Sequence, residues 1–273
     1  MNAFLNFIGR MIFVPFGAVH PVITILILAV VLGAGSLLVF KWTSNQEKIR
    51  AAKAPMKAHL LGVLLFRHDL RQVFRSLGMA LLLSLANLRF MLVPMAVMIG
   101  PLVLIFVQME FRLGSKGLAP DASTVLRVHM REDASLDDVT LGVPVGVVVE
   151  TPGVRVTDPR NGLREVDFRI RGVTEGTHDL TVKAGAAEVV KTVTVNAGPT
   201  LLSPRKPEAD FLDSLLYPIE PPVPADGPVS SVELAYEVAT YPFLGIDWAW
   251  GPLFLLFMVL SLFLLKGPMG IDF

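Results

Sequence analysis

Three long apolar runs and a stretch of strict two-residue alternation divide the chain into regions of different physical character. Residues 22–40 form a 19-residue run whose only polar side chains are Thr24 and Ser36. At 1.5 Å per residue, a helix of that length crosses most of a hydrocarbon core about 30 Å thick. Pro21 precedes the run and Lys41-Trp42 closes it: a helix-starting proline at one end, a cation beside an interfacial aromatic at the other. The second run, residues 90–109, is interrupted by Pro94 and Pro101 and ended by Gln108, Glu110 and Arg112. Its prolines predict a kink, or carbonyls satisfied by neighbouring helices or a water-filled cavity. The third run, residues 249–265, is short enough to stand nearly upright, with Tyr241, Trp248 and Trp250 at one end and Lys266 at the other.

Period two replaces these runs after the second span. Residues 124–130, 145–150, 154–157, 164–171, 178–183 and 189–195 alternate and read as six strands. Thr151-Pro152-Gly153, residues 158–162, Glu175-Gly176-Thr177 and Ala184-Gly185-Ala186 supply the turn signals between them. The expected fold over residues 113–198 is an all-β, immunoglobulin-like antiparallel sandwich, without the disulfide of antibody domains. Residues 199–247 form a return segment. Its eight prolines between Pro199 and Pro228 predict an extended, irregular path, and residues 231–238 an extra strand.

Residues 43–89 read as two helical arms with a turn near Arg67-His68-Asp69. The second arm is too apolar at residues 79–85 for a solvated helix, so it lies in the membrane interface or packs on the first. Residues 1–19 mix Phe4, Phe7, Met11 and Phe13 with Asn2, Asn6 and Arg10 at a spacing that suits a short interfacial helix, retained rather than cleaved as a signal peptide.

Composition agrees with a membrane class: 53% of the 273 residues are hydrophobic, 18% are charged, and the mean hydropathy is +0.59. The formal net charge of zero conceals a split. Residues 41–89 hold nine Lys or Arg against two acids, net +7, whereas residues 109–247 hold thirteen against twenty-one, net −8. Lys41, Lys48, Arg50 and Arg89 lie near span ends, so the positive-inside rule places residues 43–89 in the cytoplasm. The N-terminus and the β domain are then extracytoplasmic, and the tail 267–273 cytoplasmic. The expected fold class is a three-span α-helical membrane protein with a cytoplasmic helical hairpin and an external β domain.

Reactive chemistry is sparse. The chain has no cysteine, which excludes disulfides, thiolate metal sites and a cysteine nucleophile. His20, His59, His68, His129 and His178 show no ligand spacing, and no phosphate loop, nucleophile elbow or zinc-protease motif is present. Glu132, Asp133, Asp137 and Asp138 lack the pattern of a calcium loop and read as a solvated turn. No enzyme activity, metal or cofactor is expected.

Asn45-Gln-Glu-Lys-Ile-Arg50 and Met56-Lys57 follow the first span, Phe66-Arg-His-Asp69 lies at the hairpin turn, and Met91-Leu-Val-Pro-Met-Ala-Val-Met-Ile-Gly-Pro101 lies in the second span. With this order of parts the chain resembles the YidC/Oxa/Alb superfamily of membrane-protein insertases, closest to its minimal three-span, archaeal YidC-like branch. The resemblance covers about 130 residues and implies a groove, open to cytoplasm and lipid, that lowers the several-kcal/mol cost of carrying polar groups through hydrocarbon. Groove candidates are Ser36, Lys41, Arg89 and Gln108, with ordinary interfacial anchoring as their other reading. Lys48, Arg50, Lys53, Lys57, Arg67, Arg71 and Arg75 are candidates for contacts with a ribosome or lipid head groups. The implied partners are the bilayer, nascent membrane-protein clients, a ribosome or a translocon. Bacterial relatives often carry an arginine in the groove, whereas no arginine is expected inside a span here, and the β domain between the second and third spans resembles an independent insertion. The other function read from the sequence is a membrane anchor whose immunoglobulin-like domain binds a cell-envelope partner. Both readings place the chain in the plasma membrane of a prokaryote.

Overall fold

A computed structural model describes residues 7, 9, 11, 13, 16, 19–43, 58, 61, 63, 69–158, 160, 162–195 and 201–270. The chain divides into two compact units, one of Val22–Val103 with Gly251–Phe273, the other of Met1–Pro21 with Leu104–Trp250.

Three helices are long and apolar enough to cross a membrane. Helix α1 is Pro21–Thr43, opened by the expected proline and closed over Lys41. Helix α2 is Leu70–Met109, and helix α4, named in chain order after the short α3 below, is Trp250–Met269. The 20-residue α4 is longer than the 17-residue apolar run that announces it, because Lys266, Gly267 and Pro268 continue the last turn.

Helix α2 differs most from expectation. A hairpin arm ending at Arg89 and a span beginning at residue 90 are one uninterrupted helix of 40 residues. Its length is about 60 Å, twice the hydrocarbon thickness. It starts where the turn is expected: Asp69 caps it, its Oδ1 accepting the backbone N–H of Arg71 at 3.0 Å and of Gln72 at 3.3 Å. Pro94 and Pro101 lie inside it without ending it. It continues into a π turn, Glu110–Gly114, so the apolar segment 94–114 includes Arg112. Arg112 thus lies near the C-terminal end of a segment apolar enough to cross a membrane.

In the other unit, Ser115–Lys116 (β1), Ser123–Met130 (β2), Val139–Gly142 (β3), Val147–Asp158 (β4), Leu163–Gly172 (β5), Gly176–Ala184 (β6) and Ala187–Val195 (β7) precede the return segment. That segment contributes Arg205–Lys206 (β8), helix Phe211–Leu216 (α3), Val229–Leu234 (β9) and Glu237–Val238 (β10), then Thr240–Phe243 (β11) and Ile246–Ala249 (β12). One sheet has the order β4-β5-β2-β9-β8 and another β3-β6-β7, all their pairings antiparallel. Both sheets feed one apolar core: Leu126, Val128, Val166, Ile170, Leu180, Val182, Val193 and Val232 are each at most 1% exposed. Alternation works as expected in β2 and β6, one side in and the other out, whereas β4, at the sheet edge, buries only Val147.

Three expectations change. Thr151-Pro152-Gly153 is not a turn between two strands; it lies inside β4 as a register shift. β4 is an edge strand, where proline costs no ladder bond, and Gly153 lets the backbone approach Phe168 and Val166, whose side chains a Cβ would strike. β3, four residues long, follows the acidic turn where no strand is expected. The proline-rich segment is not wholly irregular: α3 fits the proline-free stretch after Pro207, capped by Asp210 Oδ2, which accepts the Leu212 N–H at 3.1 Å.

Residues 7, 9, 11 and 13 have helical backbone, in keeping with the N-terminal helix. The first expected helical arm lies largely outside the described residues.

Candidate functional site

Along α2, Phe74, Leu77, Leu81, Leu85, Leu88, Leu92, Met95 and Ile99 recur at intervals of three and four, and all are exposed. At 3.6 residues per turn they fall within an arc of about 80°. Around the rest of the helix Ala80 and Pro94 are buried, whereas Gln72, Met79 and Val97, on the side facing away from the stripe, are exposed. An amphipathic helix in water turns its apolar stripe inward and its polar face out; here the apolar stripe is exposed, together with most of the rest of the helix surface. It runs about 38 Å, from the arginine-bearing start of the helix into the segment of membrane-spanning character. Arg71 and Arg75 are exposed at that start.

Helices α1 and α4 of the same unit pack through small and polar side chains. Gly33 lies against Ser261, whose hydroxyl donates to the Met258 carbonyl at 2.7 Å and lies 3.5 Å from that of Ala29. Leu37 and Phe40 pack with Leu262, Leu265 and Met269. Small residues let backbones approach and a hydroxyl adds polar contact, the means by which helices associate where burial from water gives no driving force.

The groove candidates are not gathered into one place. Ser36 is half-buried on α1. Lys41, at the end of α1, donates to the Met269 carbonyl at 3.0 Å and so closes the last turn of α4. Arg89 lies in the middle of α2, where the backbone alone is described. Gln108 belongs to the other unit, 4% exposed, its Oε1 without a hydrogen-bond partner among the described residues and Gly9 close against it. Lys48, Arg50, Lys53, Lys57 and Arg67 lie outside the described residues.

A polar cluster in the β domain escapes sequence reasoning. Lys191, on β7, is fully buried, and its ammonium donates to Glu220 Oε1 and to the Ser203 carbonyl, both at 2.5 Å. Glu220 Oε2 is 3.9 Å from Lys206 Nζ on β8. Burial pushes both lysines below their ordinary range, opposed by the Glu220 carboxylate. Beside them Tyr236 Oη accepts the Thr194 N–H at 3.0 Å, and burial lifts its phenol to about 12. The cluster fastens the return segment to β7. A signal for it exists in the sequence: Lys191 has the inward parity of Val189 and Val193.

His129, on β2, has Glu165 3.3 Å from Nδ1 and Glu233 3.6 Å from Nε2, which bridges the strands on either side. Asp137, of the acidic turn, pairs with Arg155 at 3.3 Å. Among the described residues no group of three or more His, Asp or Glu side chains could hold a metal ion.

No family model and no curated protein matches the chain. Among solved structures it is similar to a crystal structure of domains 4 and 5 of the S-layer protein SbsC, at 22% identity and a TM-score of 0.24. That match spans 31% of this chain and about half, 48%, of the other.

Proposed function

We propose that the chain is a membrane-protein insertase or chaperone that receives apolar client helices along α2. The observation that carries this reading is the exposed apolar stripe of Phe74, Leu77, Leu81, Leu85 and Leu88, which lies on the N-terminal, arginine-bearing side of the segment 94–114. Lipid alone accounts for outward leucines within a span. It does not account for about four turns of them before the span, on a helix twice as long as the hydrocarbon core is thick. A client helix laid against that stripe shields its own apolar face until both reach hydrocarbon, by the anchor spacing of helix-in-groove recognition. Arg71 and Arg75 supply a basic entrance that suits a ribosome or anionic head groups.

In this reading the start of α2 is cytoplasmic, and the β domain lies across the plasma membrane of a prokaryote. Its sheet orders, β4-β5-β2-β9 and β3-β6-β7, correspond to the two sheets of an immunoglobulin-like sandwich, with β9 in the place of the first strand.

The test is a photo-crosslinking residue at Leu77, Leu81 or Leu88, presented with ribosome-bound nascent chains that carry one apolar segment. Crosslinks are expected at these positions and not at Met79, which is exposed but off the stripe. Equal yield at Met79, or none at any position, would overturn the reading.

A further inference from the structure

The unit that holds the β domain exposes apolar side chains at two elements, both tied to the end of α2. The first is α3, whose polarity is inverted. Phe211 and Leu212 are 65% and 63% exposed. The charged residue of the helix, Asp213, turns inward, 3.2 Å from Arg205 and accepting the Glu208 N–H at 3.0 Å. At 100° per residue, Phe211, Leu212, Leu215 and Leu216 share one face. A helix bordered by water carries the reverse arrangement.

The second element is the two-residue turn of the β11–β12 hairpin. Leu244 has φ +54° and Gly245 φ +78°, the left-handed pair that Asn-Gly ordinarily supplies. A leucine held there costs about 1–2 kcal/mol, and it gains no packing in return, being 84% exposed. Ile246 beside it is 58% exposed.

Both elements are anchored to the π turn that closes the segment 94–114. Tyr217, which follows α3, sets its ring edge-on to Phe111 at 6.0 Å, and the Tyr241 hydroxyl of β11 donates to the Leu113 carbonyl at 2.9 Å. Trp250 Nε1 donates to Glu110 Oε2 at 2.8 Å, and β12 runs directly into α4. Leu216 precedes Tyr217 directly and Leu244 follows Tyr241 by three residues, so both exposed elements are tied through these tyrosines to the end of the apolar segment 94–114.

We propose that α3 and the β11–β12 tip form a lipid-docking face that seats the β domain on the bilayer surface. The proposal rests on the membrane reading of the three long helices but not on the insertase reading. Neither element contains a lysine or arginine, and the surrounding residues 109–247 are net acidic, so the contact is apolar burial into the head-group boundary. Salt should leave it unchanged, because screening acts on charges.

The absence of native cysteine allows single labels in the full chain. Leu212→Cys, Leu244→Cys, Val145→Cys and Val31→Cys would each carry an environment-sensitive fluorophore. The proteins would be placed in phosphatidylethanolamine–phosphatidylglycerol vesicles containing a lipid with a nitroxide near the head-group end of its acyl chain. Val145, 97% exposed before β4, is the aqueous reference, and Val31, on the exposed side of α1, the reference within hydrocarbon. Quenching at Leu212 and Leu244 at least about twofold above that at Val145, undiminished by salt, is expected for burial ~5–10 Å into the boundary. Quenching at Val31 with Leu212 and Leu244 no different from Val145 would overturn the docking face and leave its apolar residues to a protein partner. A Val31 label as unquenched as Val145 would overturn the membrane reading and the proposal together.

Discussion

In the β domain Leu126, Val128, Ile170 and Val182 are hidden, and charge lies on the outward positions of the strands. In the unit of α1, α4 and most of α2, Val31, Leu85, Leu92, Phe263 and Leu264 lie outside, while Thr24, Gly33 and Ser261 lie inside. Large apolar side chains are thus hidden in the first region and shown on the surface of the second, even though Leu28, Leu37 and Leu253 pack inside it. The membrane reading proposed above accounts for the difference by a change of solvent. Water drives the sheets together by burial of apolar area. Helices in hydrocarbon gain nothing from hiding leucine and are held by close packing and hydrogen bonds. Equal substitutions should therefore have unequal effects in the two regions.

The largest effect is expected at the polar exception inside the β domain. Glu220→Ala leaves the Lys191 ammonium buried and unpaired, and denaturant unfolding should show a loss of about 3–5 kcal/mol. Replacing both partners, as Lys191→Met with Glu220→Leu, should recover most of it. A double variant as unstable as the single would mean that the pair does more than neutralise a buried charge.

In the helical unit a small residue is the sensitive one. Gly33→Leu drives a side chain into Ser261 and should cost about 1–3 kcal/mol in graded detergent unfolding. Gly35→Leu, two residues away with no atom within 4 Å of its Cβ position, should be neutral. Similar losses at both would remove the argument that α1 and α4 meet at Gly33.

Alkaline titration sharpens the contrast further. Burial raises Tyr236 and Tyr241 to about 12 from an ordinary value of 10.0. For an acid whose folded pKa is raised, the stabilisation is complete below pH 10 and is lost between about 10 and 12, because the unfolded chain gives up the proton first. Tyrosinate absorbance from these two rings should be delayed in the folded protein, and Tyr236→Phe and Tyr241→Phe should each remove a delayed step. The smallest effect belongs to the cap of α2: Asp69→Ala should cost about 1 kcal/mol of helix stability and lower helical circular dichroism slightly.

The three apolar runs and the six expected alternating segments, which fall in five strands, were legible because each is governed by one local period. The length of α2 was not, since a charge such as Arg89 reads as the end of an apolar run but does not break a helix backbone. Pro152-Gly153 misled because the edge position of β4, which makes the pair tolerable, is a property of the sheet. The Lys191–Glu220 pair joins residues on opposite sides of Pro199 and Pro204, and the parity of Lys191 is the local trace it leaves. The stripe on α2 was present as spacing in the sequence, but its exposure depends on how little of the chain packs against that helix.

The position of β9 has a consequence for the order in which the protein is made. β2 pairs on one side with β5 and on the other with β9, yet β9 emerges from the ribosome only after the whole of β3 to β7 and the proline-rich segment. Until Val229–Leu234 arrives, the middle of the five-stranded sheet presents an open edge, the feature that invites wrong pairing between chains. Soon after β9 comes Trp250, the first residue of α4. Closing the sheet and delivering the last span therefore fall at nearly the same moment of synthesis, and a delay in either exposes the other.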